Sequence, residues 1–234
     1  NGNITVQHSA STDATSGIAK YQYAVSTSNT TAPTAFVDLP SPNATSHSVA
    51  LEAGSKYVWV RAVDNAGNIS AAKCSSTVYK RDITAPAAPS NITVSPTDWG
   101  NGDITITHSA VSDTSGIAKY QYAISVSNTT APTSGFRDFA EPTATTHSIT
   151  ASTVGINYIW VRAVDNAGNI GASACSPAPY QYDNISPTID LEHLHFIKSR
   201  NQLTITWSDI IEEQSGIQKL QYRIGDGEYT DIPN

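Results

Sequence analysis

The sequence predicts an all-β chain built as tandem Greek-key β-sandwiches, with about 100 residues and about seven short strands in each repeat. Three observations carry this. Apolar residues alternate with polar ones in short runs, in Ile4, Val6 and His8, in Tyr21, Tyr23 and Val25, in His47, Val49 and Leu51, and in Val58, Val60 and Ala62, which is the period of a half-buried strand. Gly, Asn and Asp clusters break these runs, and no segment sustains a helical period. The chain also repeats itself: YVWVRAVDNAGN at 57–68 returns as YIWVRAVDNAGN at 158–169, and SGIAKYQYA at 16–24 returns unchanged at 115–123.

Taken in order, NGNITVQHSA at 1–10 gives the first strand, matched by NGDITITHSA at 101–110 and in character by RNQLTITWSD at 200–209. The second run, at 16–24 and 115–123, has a third relative in SGIQKLQYR at 215–223. DITAPAAPSNITVSPTDW precedes the second copy and DNISPTIDLEHLHFI the third; each is a Pro-punctuated linker passing into an alternating run. The first copy has no such opening segment, and the third stops at DGEYTDIPN, before any counterpart of YVWVRAV. The expected domains are therefore 1–81, a sandwich lacking its first strand; 82–182, a complete one; and 183–234, the N-terminal half of a third. A half-built pair of sheets cannot cover its own apolar face, so the third is expected to be frayed or completed by further chain. The lack of methionine agrees with a piece of a longer protein.

Composition narrows the function. Thirteen basic against 20 acidic residues leave a net charge of −7, and without a basic face nothing displaces counterions from phosphates, so nucleic acid is not an expected partner. No apolar run approaches the roughly 20 residues that span a bilayer, so membrane insertion is not expected of this stretch. Cys74 and Cys175 fall one in each copy; they cannot pair within a domain and are expected to pack as small buried hydrophobes. No nucleophile elbow, zinc-protease motif or phosphate loop occurs, and Glu212 with Glu213 reads as a solvated charge pair, so no enzyme is expected.

LTITWSDIIEEQSGIQKLQYRI at 203–224 resembles strands B and C of a fibronectin type III domain, with Trp207 at the core tryptophan position and Leu203 and Ile205 inward beside it. YVWVRAVDNAGN is similar to strand F and its turn into strand G. With the TAP linker and SPTDWGNGDITITHS, the chain resembles the bacterial immunoglobulin-like and fibronectin-like repeats of secreted and cell-surface proteins. That resemblance implies an extracellular location and a structural stalk, as in an adhesin, whose partners are the other domains of the same long chain. It leaves two further readings: a binding module for host glycan or a host protein such as mucin or immunoglobulin, and accessory domains of a large secreted glycosidase or protease. In the first two copies His8 and His108 replace the core tryptophan.

Three sets of residues are candidates for chemistry. Strand parity puts Tyr57, Trp59 and Arg61 on the outer face beside Lys20 and Gln22, and likewise Tyr158, Trp160 and Arg162 beside Lys119 and Gln121. Exposed Trp, Tyr and Arg would anchor a sugar ring or a protein partner; the alternative is a closed stack with Arg61 over Trp59. Asp13, Asp64 and Asp82, with Asp113 and Asp165, are placed by strand order near one pole, where calcium is the cofactor such oxygens would hold, unless they serve the turns. His8 with His47, and His108 with His147, are expected as inward pairs that are neutral and hydrogen-bonded or, less simply, as two ligands of a metal.

Overall fold

The structure, a computed structural model, describes residues 2–42, 44–189, 195–200, 203–206, 210–211 and 215–232. Trp207, Glu212 and Glu213, singled out in the sequence, lie outside the described residues. The chain forms two compact units, Asn1–Ala85 with Asn166–Asn169, and Pro86–Asp165 with Ile170–Asn234. All regular elements among the described residues are strands, and no helix there is long and apolar enough to cross a membrane.

The first unit holds β1 (Asn3–Gln7), β2 (Ile18–Ser26), β3 (Val37–Asp38), β4 (Ser46–Ala50), β5 (Gly54–Asp64), β6 (Lys73–Cys74) and β7 (Tyr79–Arg81). One sheet is the antiparallel pair β1–β4; the other has the order β3-β2-β5-β6, with β7 also on β5. The residues that alternate in the sequence meet between the sheets: Val6 and Val49 from one side, Tyr21, Val58 and Ala62 from the other, with Leu39 and Leu51. Val60 is packed against this core but half-buried.

The second unit adds two strands ahead of the same series: β8 (Thr93–Ser95) and β9 (Trp99–Gly100), then β10 (Ile104–Thr107), β11 (Ile117–Ser125), β12 (Arg137–Asp138), β13 (Thr146–Ile149), β14 (Gly155–Asp165), β15 (Ala174–Cys175) and β16 (Tyr180–Tyr182). Its sheets run β13-β10-β8 and β12-β11-β14-β16-β9, with β15 also on β14. β8 contributes Val94 to the core, and Pro89 and Ile92 just ahead of it are also buried. The core is correspondingly tighter: Ile106, Ile159, Val161 and Tyr180 are all 0% exposed. Further along this unit the strands His195–Lys198 and Leu203–Thr206 pair as a hairpin, and Phe196, Ile197, Ile224 and Tyr229 stay more than half exposed.

The F–G corner is closed by glycine twice over. Gly67 and Gly168 take φ of +91° and +90°, a conformation that strains any residue with a Cβ, and Asp64 Oδ1 accepts bonds from the amides of Ala66 at 2.9 Å and Asn68 at 2.7 Å. Asn65 reaches beyond its own turn, donating from Nδ2 to the Ser16 carbonyl at 2.6 Å. Gly171 has a different reason to be glycine. Its amide donates to the Ala163 carbonyl at 2.9 Å, and a Cβ would stand 2.5 Å from the carbonyl oxygen of Pro86, itself buried. Gly171→Ala is thus expected to destabilise the second unit by about 1–3 kcal/mol, read as a lower urea midpoint.

Candidate functional site

The outer face of β2 and β5 is set by register. Ala24 stands opposite Trp59, Gln22 opposite Arg61, and Gln22 again opposite Asp38 of β3, so the polar side chains meet without any loop rearrangement. Arg61 Nε donates to Gln22 Oε1 at 2.8 Å, Gln22 Nε2 donates to Asp38 Oδ1 at 2.7 Å, and Lys20 Nζ donates to Asp38 Oδ2 at 2.8 Å. The hydrogen bond from Lys20, then that from Gln22, holds the Asp38 carboxyl below its usual range.

The two tryptophans do not face solvent as expected. Trp59 and Trp160 are each 7% exposed. The loop after β2 closes on the indole: Ser28 Oγ accepts from the amides of Thr30 at 3.2 Å and Thr31 at 3.1 Å, fixing the loop, and its carbonyl accepts from Trp59 Nε1 at 3.1 Å. Nor does Arg61 lie over Trp59; its guanidinium lies 4.0 Å from the ring centre of Phe36. Tyr57 and Tyr158 are half-buried.

The second unit repeats this bond for bond. Lys119 Nζ meets Asp138 Oδ2 at 2.7 Å, Gln121 Nε2 meets Asp138 Oδ1 at 2.6 Å, Arg162 Nε meets Gln121 Oε1 at 2.8 Å, and Trp160 Nε1 meets the Ser127 carbonyl at 2.9 Å. Arg162 lies 3.9 Å from the Phe136 ring centre. Phe36 and Phe136 escaped the strand pattern because they sit in loops. The signal that would have found them is the repeated phrase A-P-T followed by F-x-D, at 32–38 and 131–138.

The imidazoles come together in both units. In the second, His108 and His147 are 6% and 3% exposed, with Nε2 atoms 3.3 Å apart and ring centres 5.4 Å apart at 17°. The nitrogens are so much closer than the centres that the rings meet end to end. His108 Nδ1 lies 3.1 Å from the Ser109 carbonyl, which can only accept, so that nitrogen carries the proton. His108 Nε2 is then the acceptor and His147 Nε2 the donor. His147 Nδ1 is left as a buried lone pair with no partner, and the Phe139 ring stacks on it at 3.6 Å and 7°. Two imidazole nitrogens are at most two of the three or four protein ligands a zinc site takes, and among the described residues no third His, Cys, Asp or Glu ligand atom joins them; the contact is a hydrogen bond between the rings. In the first unit His47 Nε2 bonds instead to the Ala44 carbonyl at 2.6 Å, and His8 stacks at 5.5 Å. The neighbouring tyrosines, absent from the sequence candidates, anchor the B–C loops: the hydroxyls of Tyr21 and Tyr120 accept from the amides of Ser11 at 2.7 Å and Val111 at 2.8 Å.

The acidic residues separate by use. Asp13 Oδ2 accepts from the Ser16 amide and hydroxyl at 2.8 and 2.9 Å and from the Gly17 amide at 3.0 Å. These bonds, Ser16 first, pull its carboxyl below the usual range, and Asn68 does the same for Asp64. Asp82 Oδ1 accepts from the Thr84 amide at 2.9 Å. In the second unit Asp113 binds the Ser115 amide at 2.8 Å, and its carboxylate comes within 4.8 Å of that of Asp165, which is 1% exposed. Because Asp13 and Asp64 are held by turns, calcium and a chelator are expected to give the same melting midpoint for the first unit. Cys74 and Cys175 are half-buried rather than buried; Cys175 Sγ donates to the Ser176 carbonyl at 3.3 Å, and burial raises its pKa.

The second unit, with β8, β10 and β13 facing β12, β11 and β14 and its partners, is a two-sheet β-sandwich. No family model and no curated protein matches the chain. Similar solved structures include the fibronectin(III)-like modules of CbhA from Clostridium thermocellum, at 12% identity and a TM-score of 0.38, covering 77% of this chain and 86% of that one. The FN1–FN3 domains of chicken CNTN1 align at 13% identity and a TM-score of 0.40 over 77% of this chain and 62% of theirs.

Proposed function

We propose that the chain is a run of fibronectin type III-like sandwiches, repeated about every 100 residues, that serves as a non-catalytic spacer in the stalk of a secreted or cell-surface bacterial protein such as an adhesin. One observation carries this reading: the outer faces that would bind a ligand are closed on themselves, in the same way, in both units. Lys20, Gln22, Arg61 and Trp59 each have an internal partner, as do Lys119, Gln121, Arg162 and Trp160. A stacked arginine and an indole under a loop keep the sheet face ordered, which suits a module whose stability is mainly its own.

The test is a screen of the intact chain and of its Arg61→Ala, Arg162→Ala double variant against immobilised mucin, immunoglobulin and a glycan array. The spacer reading expects no specific signal from either. A saturable signal from the parent chain that the double variant loses, with its fold retained, would establish a binding module instead.

A further inference from the structure

The turn from β9 to β10 holds an Asn-Gly step. Asn101, Gly102 and Asp103 are all exposed, and they carry the chain from the sheet of β16 to the sheet of β8 and β13. Among the described residues no hydrogen bond involves the Asn101 side chain or the Gly102 amide, so neither the side-chain carbonyl carbon nor the backbone nitrogen that follows it is held in place. A Cβ on Gly102 would meet nothing within 4 Å. The other described asparagines are placed differently. Asn29 and Asn128 are followed by Thr, and Asn3, Asn68, Asn91, Asn169 and Asn184 by Ile, whose branched Cβ crowds the amide nitrogen. Asn65 precedes Ala66 and is tied through Nδ2 to the Ser16 carbonyl; Asn166 precedes Ala167; Asn157 precedes Tyr158 and is 0% exposed. Asn1, also followed by Gly, lies outside the described residues.

We propose that Asn101 is a site of spontaneous deamidation in the folded chain. The Gly102 backbone nitrogen gives up its proton to hydroxide and attacks Cγ of Asn101. The bond from Cγ to the side-chain nitrogen breaks, and that nitrogen leaves as ammonia with a proton from water, closing a succinimide ring. Water then opens the ring at one of its two carbonyls, giving aspartate where the bond to Cγ breaks and isoaspartate where the bond to the main-chain carbonyl carbon breaks. Water is the sole co-reactant, and nothing is oxidised or reduced. Glycine makes the first step accessible because no Cβ opposes the approach and its backbone turns freely. In isoaspartate the main chain runs through Cγ and is longer by one carbon. That carbon enters directly after Gly100, whose carbonyl accepts from the Asp183 amide at 3.0 Å and which pairs with Tyr182 between β9 and β16. Ageing at this turn therefore loosens β9 from β16 and adds a negative charge to a chain already at −7. The inference holds whether or not the units act as spacers, since it rests only on the chemistry of one turn.

The intact chain is incubated at neutral and at mildly alkaline pH, and the peptides holding each asparagine are followed by mass spectrometry with fragmentation that separates isoaspartate from aspartate. Gly102→Ala is the control variant; position 102 has room for the methyl group and no positive φ, so the fold is kept. Conversion at Asn101 is expected to run at least about tenfold faster than at Asn29 or Asn128, to quicken with pH, to yield isoaspartate, and to slow by at least about tenfold in the Gly102→Ala chain. In the isoaspartate product the Asp183 amide should lose at least about tenfold of its protection from hydrogen exchange. An intact Asn101 over a time in which the free peptide DWGNGDI, residues 98–104, converts would overturn the proposal, because the fold then holds the turn unreactive. So would an equal rate in the Gly102→Ala chain, or aspartate as the sole product, because water then attacks the side chain directly. Undiminished protection of Asp183 in the converted chain overturns the loosening of β9.

Discussion

Lowering the pH from 7 to 5 is expected to destabilise the second unit through its histidine pair. Burial holds His108 and His147 below the usual value of 6.5, and for His147 the charge on His108 adds to the effect. The unfolded chain therefore takes up protons at a higher pH than the folded one. Stability from this source is fully present above about pH 6.5 and is lost as the pH falls through the interval between the unfolded and folded values. The surroundings offer little relief. His147 faces Phe139 and His108, His108 lies against Tyr120 and Phe139, and Tyr120 already spends its hydroxyl on the Val111 amide. The Ala144 carbonyl and the charge of Glu141 oppose the shift in His147 but do not outweigh burial. Calorimetry should show the midpoint of the second unit falling below pH 6.5 and flat above it. The variant His147→Leu, whose readout is this slope and not its absolute stability, should flatten the fall.

Replacing Trp160 by alanine is expected to cost the second unit about 3–5 kcal/mol, the range for emptying a buried large aromatic site, and Trp59→Ala should cost the first unit as much. A domain with about 5–15 kcal/mol in all is brought near its limit by such a loss. At roughly 4–8 °C per kcal/mol for a domain of this size, the midpoint should drop by more than about 12 °C. Part of the loss is the bond from the indole to the Ser127 or Ser28 carbonyl, and part is the loop that the indole anchors. A residue kept for an external ligand would behave in the opposite way, with binding lost and the midpoint unmoved.

Alternation made the two faces of each strand legible. Val58 and Ala62 pack inward, and the His8–His47 and His108–His147 pairs meet because strand parity and antiparallel order bring them together. Parity could not show what covers the outer face. Parity makes Trp59 a surface residue because nothing in SNTTAPT has a period, and a loop that returns over a sheet leaves no mark in the strand pattern. The same blindness assigned Arg61 to the wrong ring: Phe36 lies in a loop, and only the register of Gln22 between Arg61 and Asp38 brings it within reach. Asp64 and Asp13 were placed correctly at turns, but whether a carboxylate serves its own backbone or an ion depends on bond directions that spacing does not carry.

The central claim is that these tryptophans and arginines close the sandwich and do not wait for a ligand. Proton exchange at the indole Nε1 of Trp59 and Trp160, followed by NMR in the intact chain, tests it most directly. If the claim is right, both indole protons are strongly protected, consistent with their bonds to the Ser28 and Ser127 carbonyls, and adding mucin, immunoglobulin or glycan leaves them unmoved. Rapid exchange at both, with shifts that saturate on adding one of these ligands, would contradict it.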